Sequence, residues 1–343
     1  MKALQLVAHG KPGTFEVREV PDLQAGPDEV VVKVRACGLN HLDLWTEAGE
    51  LPVPIKLPLT PGCEISGEVL RIGDGAKTFK PGDRVAIQSN LFCGACEYCR
   101  SGDESMCINN VILGVQRNGG LAEQVAVPAR AVVPLPSTVD FTASAALTLA
   151  GSTAMHMLTN RASVKSGDWV LVMAGASGVG SAAIQIARGL GARVISTGSN
   201  EAKRELARKL GAEAVFDPND PKWPIDVRKL TDRRGVDVVI EHIGGAVLQQ
   251  AFNCLARGGT IVTCGATAGR SVPFDLWPFF VKQQRLIGSY GRDTADFKAT
   301  LEWAAHGKLK PVIDSAIPLA EAPRAYAQLR ARGVLGKIVV TPT

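Results

Sequence analysis

Through about residue 135 the apolar runs are short, and each is closed by Gly, Pro or Asp: "EVVVKVRACG", "EISGEVLRIG", "GDRVAIQS" and "AEQVAVPARAVVPLP". Short β-branched runs bounded by turn formers predict strands, so a mostly β first domain is expected. From about Gly167 the pattern changes to strand then helix, repeated. "DWVLVMAG" leads into "SGVGSAAIQIARGLG", "ARVISTG" into "NEAKRELARKLG", and "VDVVIEHIG" into "AVLQQAFNCLARG", followed by "GTIVTCG" and "RLIGSYG". Fully apolar strands alternating with helices predict a parallel sheet covered on both faces, a doubly wound α/β domain. The tail after about Ser289 reads as helix, strand, helix and a last strand, "GKIVVTP". It is too short for a domain of its own and is expected to return to the first one. The expected division is therefore 1–149, 150–288 and 289–343.

A chain of 343 residues is long enough for two domains that each bury a core. Its composition, 46% hydrophobic and 21% charged, is that of a globular protein, and the formal charge of +5 is spread along the chain. No nucleic-acid partner is expected. The uncharged run Phe141 to Asn160 is diluted by Ser, Thr, Gly, Asn and His, which predicts a buried helix rather than a membrane span. "MKALQLVAHGKPG" has neither the apolar core nor the cleavage site of a secretory leader, so a cytoplasmic location is expected. In a reducing compartment the eight cysteines read as thiols or metal ligands.

Between a strand and a helix, "AGASGVG" places Gly175, Ser177, Gly178, Val179 and Gly180. Such a turn lets the backbone approach a pyrophosphate, whose charge sits on the free N–H groups of the helix N-terminus; the plainer alternative is a turn and nothing more. The next strand bears on which dinucleotide. An NAD site ends it with Asp or Glu, whereas this chain has Thr197, Gly198, Ser199 and Asn200. With no carboxylate to repel a 2′-phosphate, and with Ser199, Lys203 and Arg204 close by in sequence, NADPH is the expected cofactor. Alternatively Lys203 and Arg204 are the solvated face of a helix.

Cys93, Cys96, Cys99 and Cys107 follow the spacing C-x2-C-x2-C-x7-C in "FCGACEYCRSGDESMC". Four thiolates suit one tetrahedral zinc and leave no coordination position for water or substrate, so the expected metal is structural.

A β-rich first domain, this cysteine lobe, a nucleotide-binding domain and a short return resemble the medium-chain dehydrogenase/reductase superfamily over essentially the whole chain. The resemblance implies a GroES-like catalytic domain and a Rossmann NADP(H) domain, with one structural zinc per subunit on the four cysteines named above. The zinc alcohol dehydrogenases of that superfamily also hold a catalytic zinc, and there this sequence departs. In "GLNHLDL", Asn40 stands at the first ligand and Leu42 at the proton-relay hydroxyl; in "PGCEISGEV", Cys63 replaces the second ligand, a His, before a matching Glu64; "TLAGSTAMH" offers Leu149 at the third. One sulfur among three positions does not make a catalytic zinc site. Cys37 reads as a small buried residue. The stretch "ACGLNHLDLW" instead is similar to the quinone oxidoreductase branch, which reduces activated double bonds with NADPH and no catalytic metal.

That resemblance implies site roles. Asn40 orients the nicotinamide or substrate, or else caps the helix after it. Thr153 contacts the nicotinamide ribose or amide, or caps its own helix. Gly265 and Tyr290 end the last two strands of the nucleotide fold, where the crevice of an open sheet lies, and Tyr290 closes over the nicotinamide, donates a proton or packs as a plain aromatic. Lys337 reaches the cofactor or lies on the surface. His41, Asp43 and Glu64 are the titratable groups nearest the site. The leading expectation is an NADPH-dependent reductase of enones, enals or quinones. A zinc-dependent NAD(P) alcohol dehydrogenase using Cys63 and Glu64 is the alternative, and a non-catalytic NADPH-binding protein the third. The expected partners are a small carbonyl or quinone substrate and further copies of the chain, as a homodimer paired around "RLIGSYG" or a homotetramer, with no membrane.

Overall fold

The computed structural model describes residues 1–342. The chain forms two compact units. The first joins Met1–Ala150 to the return segment that begins at Arg292, and the second is Gly151–Gly291.

The first unit is built on a sheet whose strands lie in the order Ile313–Pro318, Lys337–Thr341, Glu29–Gly38, Glu64–Ile72, Arg84–Ile87 and Val132–Pro134, with Gln124–Pro128 also pairing the third of these. The hairpin Lys2–Ala8 with Thr14–Glu19 lies beside it. Val30, Val32, Val34, Ile65, Val85 and Ile87 pack with Leu319, Tyr326 and Ile338 of the return segment, so the last fifty residues complete this core rather than decorate it. The other face carries Ala36 and Val339 against Ala145 and Ala146. At the end of its strand Gly38 is flanked twice, pairing with Glu64 on one side and with Val339 on the other.

The second unit holds six parallel strands, in chain order Trp169–Val172, Arg193–Thr197, Ala214–Phe216, Val236–Glu241, Leu255–Thr263 and Arg285–Gly288. In the sheet they lie third, second, first, fourth, fifth, sixth, the doubly wound arrangement that places a topological switch beside the first strand. Leu171, Ile195, Val239 and Ile261 pack with Trp223, Leu248 and Phe252 of the covering helices.

The uncharged run does not form one helix. It breaks into Phe141–Ala145, Ala150–Met155 and a wider turn of helix, His156–Arg161. The break has a cause within the first unit: the N–H groups of Leu149 and Ala150 turn to the Glu64 carboxylate instead of continuing a helical ladder from Ala145. Among the described residues no helix is long and apolar enough to cross a membrane.

Candidate active site and cysteine lobe

Because Gly38 lies between the Glu64 and Lys337 strands, the chain leaving it as Leu39–Asn40 meets side chains from both neighbours. Lys337, open to a surface reading in the sequence, is only 4% exposed. Its ammonium donates to Leu39 O, to Asn40 Oδ1 at 2.5 Å and to Glu64 Oε2 at 2.8 Å, which uses all three of its protons. Asn40 in turn donates through Nδ2 to Glu64 Oε2 at 3.0 Å and to Gly38 O at 3.3 Å. The other carboxylate oxygen, Glu64 Oε1, accepts from Leu149 N at 2.6 Å and Ala150 N at 3.2 Å. All four acceptor positions of Glu64 are thereby filled.

Asn40 is also the N-cap of the helix His41–Ala48, and its own N–H donates to Asp43 Oδ2 at 2.7 Å. Asp43 is buried, and desolvation pushes its pKa up to about 6 against the pull of its hydrogen bonds and Lys337. Burial, helped by Arg332 and Lys337, holds His41 below its usual value.

This donor set does not fit the catalytic zinc of the alcohol dehydrogenases. Asn40 offers an amide that is already engaged. The Cys63 thiol, with Sγ 4.0 Å from Asn40 Nδ2, is pushed well up by burial and then by the Asp43 and Glu64 carboxylates, and it stays protonated. Leu149 contributes an N–H, and Glu64 has no free lone pair. A cation is already present, and it is Lys337.

The cysteine lobe is the opposite case. The sulfurs of Cys93, Cys96, Cys99 and Cys107 all lie within 4.8 Å of one another, and those of Cys93 and Cys99 are 3.9 Å apart. Tetrahedral zinc–sulfur bonds put sulfurs about 3.8 Å apart, so the set fits zinc closely. N–H groups of Ala95 and Cys96 bring the Cys93 thiol down to about 6, while burial and its sulfur neighbours push Cys99 up to about 12. Four thiolates this close do not ionise together unless a dication lies among them. The lobe is also tied to the return helix Thr294–Ala305 by exchanged caps: Ser105 N donates to Asp293 Oδ1 at 2.7 Å, and Thr294 N to Glu104 Oε2 at 2.7 Å.

In the second unit the first strand ends at Val172 and the chain turns through Ala174, at φ +47°, into the helix Gly178–Gly189. A Cβ on Gly175 would lie 2.1 Å from Ser196 Oγ, and one on Gly180 would lie 2.2 Å from Ala174 O, so loop, strand and helix touch where side chains are missing. Ser177 is the N-cap and accepts from Gly180 N at 2.9 Å, leaving Gly178 and Val179 in the open first turn. Thr197 accepts from Ala174 N at 2.9 Å and so braces the loop. Past it, Lys203 Nζ lies 3.4 Å from Ser199 Oγ.

Arg204, grouped with them in the sequence, is committed elsewhere. Its guanidinium binds Gly198 O, Asp217 and Glu201 at about 3 Å, because the helix start points it back across the turn. Gly265 lies beyond the fifth strand, against the backbone of His242. Thr153 is buried in the short helix Ala150–Met155, and Tyr290 follows the sixth strand at 55% exposure. The structure thus gathers Asn40 and Lys337 in the first unit, and the glycine loop, Ser199, Lys203 and Gly265 around the carboxyl ends of strands in the second. Sequence reasoning undervalued Glu64 and did not single out His242, although both are polar residues set in or just after an apolar strand.

Comparison with known proteins agrees with this anatomy. Residues 26–137 match the alcohol dehydrogenase GroES-like domain and residues 178–306 the zinc-binding dehydrogenase domain. A solved NAD-dependent alcohol dehydrogenase superposes with a TM-score of 0.97 at 38% identity, covering 100% of both chains. An NAD-dependent alcohol dehydrogenase of Sulfolobus acidocaldarius is 34% identical over 100% of each chain. An acryloyl-coenzyme A reductase of Metallosphaera sedula is 30% identical, over 99% of this chain and 100% of its own. The chain is an oxidoreductase of two domains, GroES-like and Rossmann-type. It belongs to the zinc-binding, alcohol dehydrogenase-like medium-chain dehydrogenase/reductase superfamily.

Proposed function

We propose that the chain is an NADPH-dependent reductase of conjugated carbonyl compounds or quinones that works without a catalytic metal. The observation that supports this most is the closed set Asn40–Lys337–Glu64, which engages the amide at the first catalytic ligand position and leaves no lone pair on Glu64 for a metal. Lys337 and Glu64 neutralise each other, so the site has no strong Lewis acid with which to bind an alkoxide or polarise a simple ketone. An activated double bond needs less help, because charge delivered to its β-carbon passes to an enolate oxygen that ordinary dipoles stabilise.

When bound, NADPH supplies the hydride. The first-turn N–H groups of Gly178 and Val179 hold its pyrophosphate, with Gly180 allowing the close approach of loop and helix, and Ser199 with Lys203 takes the 2′-phosphate. Asn40 has both amide protons engaged, and its Oδ1 accepts from Lys337 and, in the capping box, from the Asp43 N–H, so the amide is held in one orientation beside the nicotinamide or substrate. Cys93, Cys96, Cys99 and Cys107 hold one structural zinc. A second copy of the chain pairs along the edge strand Arg285–Gly288, where Leu286 and the neighbouring Trp277 and Phe280 are exposed.

The acryloyl-coenzyme A reductase relative favours this reading, while the alcohol dehydrogenase relatives favour oxidation of an alcohol with NAD. One preparation decides between them, by zinc content after dialysis against a mild chelator together with activity. One zinc per chain, with NADPH oxidised by methyl vinyl ketone or a benzoquinone, is the expected result. Two zincs, with NAD-linked alcohol oxidation that falls as the second is stripped, would replace the proposal by the alcohol dehydrogenase reading.

A further inference from the structure

Ser177 has a second neighbour besides the amide it caps. Its Oγ accepts from Gly180 N at 2.9 Å and lies 3.0 Å from His242 Nε2, which arrives from a loop 65 residues later. That loop is fixed on both sides of the ring. Glu241, fully buried at the end of the fourth strand, accepts through Oε1 from Ile243 N at 2.6 Å and Gly244 N at 2.7 Å, and through Oε2 from the Thr263 hydroxyl at 2.8 Å. Ala268 N donates to Ile243 O at 2.7 Å and Cys264 N to Glu241 O at 3.1 Å. The imidazole is therefore aimed by a braced backbone, and its target is the serine of the glycine loop.

A serine hydroxyl has one proton and two lone pairs. Gly180 takes one lone pair. If Nε2 is bare, Ser177 gives its proton to the ring, and the loop presents no hydroxyl donor outward. If Nε2 carries a proton, it donates into the second lone pair, and the Ser177 O–H is released to another partner. Phosphate oxygens only accept, so this second arrangement alone adds a donor to the helix N-terminus. We infer that His242 is a positioning residue for the cofactor's pyrophosphate: in its Nε2–H form it turns the Ser177 hydroxyl toward the phosphate. The inference rests on reading this loop as a dinucleotide site.

The test is calorimetric binding of three probes to the intact protein: NADPH, 2′-phospho-ADP-ribose, which keeps the pyrophosphate, and adenosine 2′-monophosphate, which lacks it. His242→Ala is expected to weaken the first two severalfold, because the Ser177 hydroxyl stays but is no longer held toward the phosphate, and to leave the third unchanged. His242→Gln, whose side-chain amide also donates, is expected to recover most of that loss. In a Ser177→Ala background, His242→Ala is expected to cost nothing more. Equal weakening of all three probes, or losses that add in the double variant, would overturn the inference, since a merely structural histidine behaves in those ways. Failure of the wild-type protein to bind either pyrophosphate probe would instead remove the dinucleotide reading itself, and it is seen before any variant is made.

Discussion

The cysteine lobe and the Asn40–Lys337–Glu64 set lie in the same unit and answer one question, how to hold polar groups together, in contrary ways. The lobe brings four sulfurs to one point on loops with few buried residues, and four thiolates so close repel one another. Its donors call for a metal. The other set sits on central strands, and its cation is a side chain of the protein, with each proton of that cation matched to an acceptor. What decides between metal and no metal is thus the residue type at each donor position and whether lone pairs remain unspent, more than the fold that carries them.

The comparison breaks most sharply at Lys337. Lys337→Met strands a buried carboxylate without its counter-charge, and a loss of about 3–5 kcal/mol in chemical denaturation is expected. Lys337→Met with Glu64→Gln should recover much of it, and a single variant as stable as wild type would mean that the pair holds nothing together. A smaller effect is expected from Asp43. Its folded pKa of about 6 lies above the ordinary value of 3.8, so its contribution to stability is intact below pH 4 and is lost as pH rises through 6. Asp43→Asn does not suffer that loss. Measured from pH 4 to pH 7, the variant should gain on wild type by up to about 3 kcal/mol, and a difference that stays flat with pH would show that Asp43 is not desolvated. The least global effect belongs to the lobe. Cys99→Ser should reduce bound zinc from one per chain to none and remove amide-exchange protection around residues 93–107, while the strands of the main sheet stay protected. Loss of protection throughout the unit would mean that the lobe is part of the core.

Much of this was legible along the chain because it is local. The doubly wound order follows from strand and helix alternation, the glycine loop is seven residues, and the four cysteines span fifteen. Lys337 and Asn40 are 297 residues apart, and no periodicity says that their strands flank Gly38. Lys337 therefore read as well on the surface as in the core. Ser177 and His242 meet only because the first and fourth strands are neighbours in the sheet. The break after Ala145 was hidden for the same reason: its cause, the Glu64 carboxylate, comes from another strand, while the local composition favours helix. Arg204 was misjudged by proximity in sequence, since a side chain in a first helical turn is as free to bind back to its own turn as to wait for a ligand.

The exchanged caps between the lobe and the return helix carry a consequence for the order of assembly. Ser105 meets its acceptor 188 residues later, and Thr294 meets its own 190 residues earlier, with the whole of Gly151–Gly291 between. On a growing chain the four sulfurs are made early and can take up metal by themselves, but Asp293 and Thr294 do not yet exist. The lobe therefore waits, undocked, until the segment Gly151–Gly291 has been synthesised, and its seating belongs among the last steps by which this protein becomes complete.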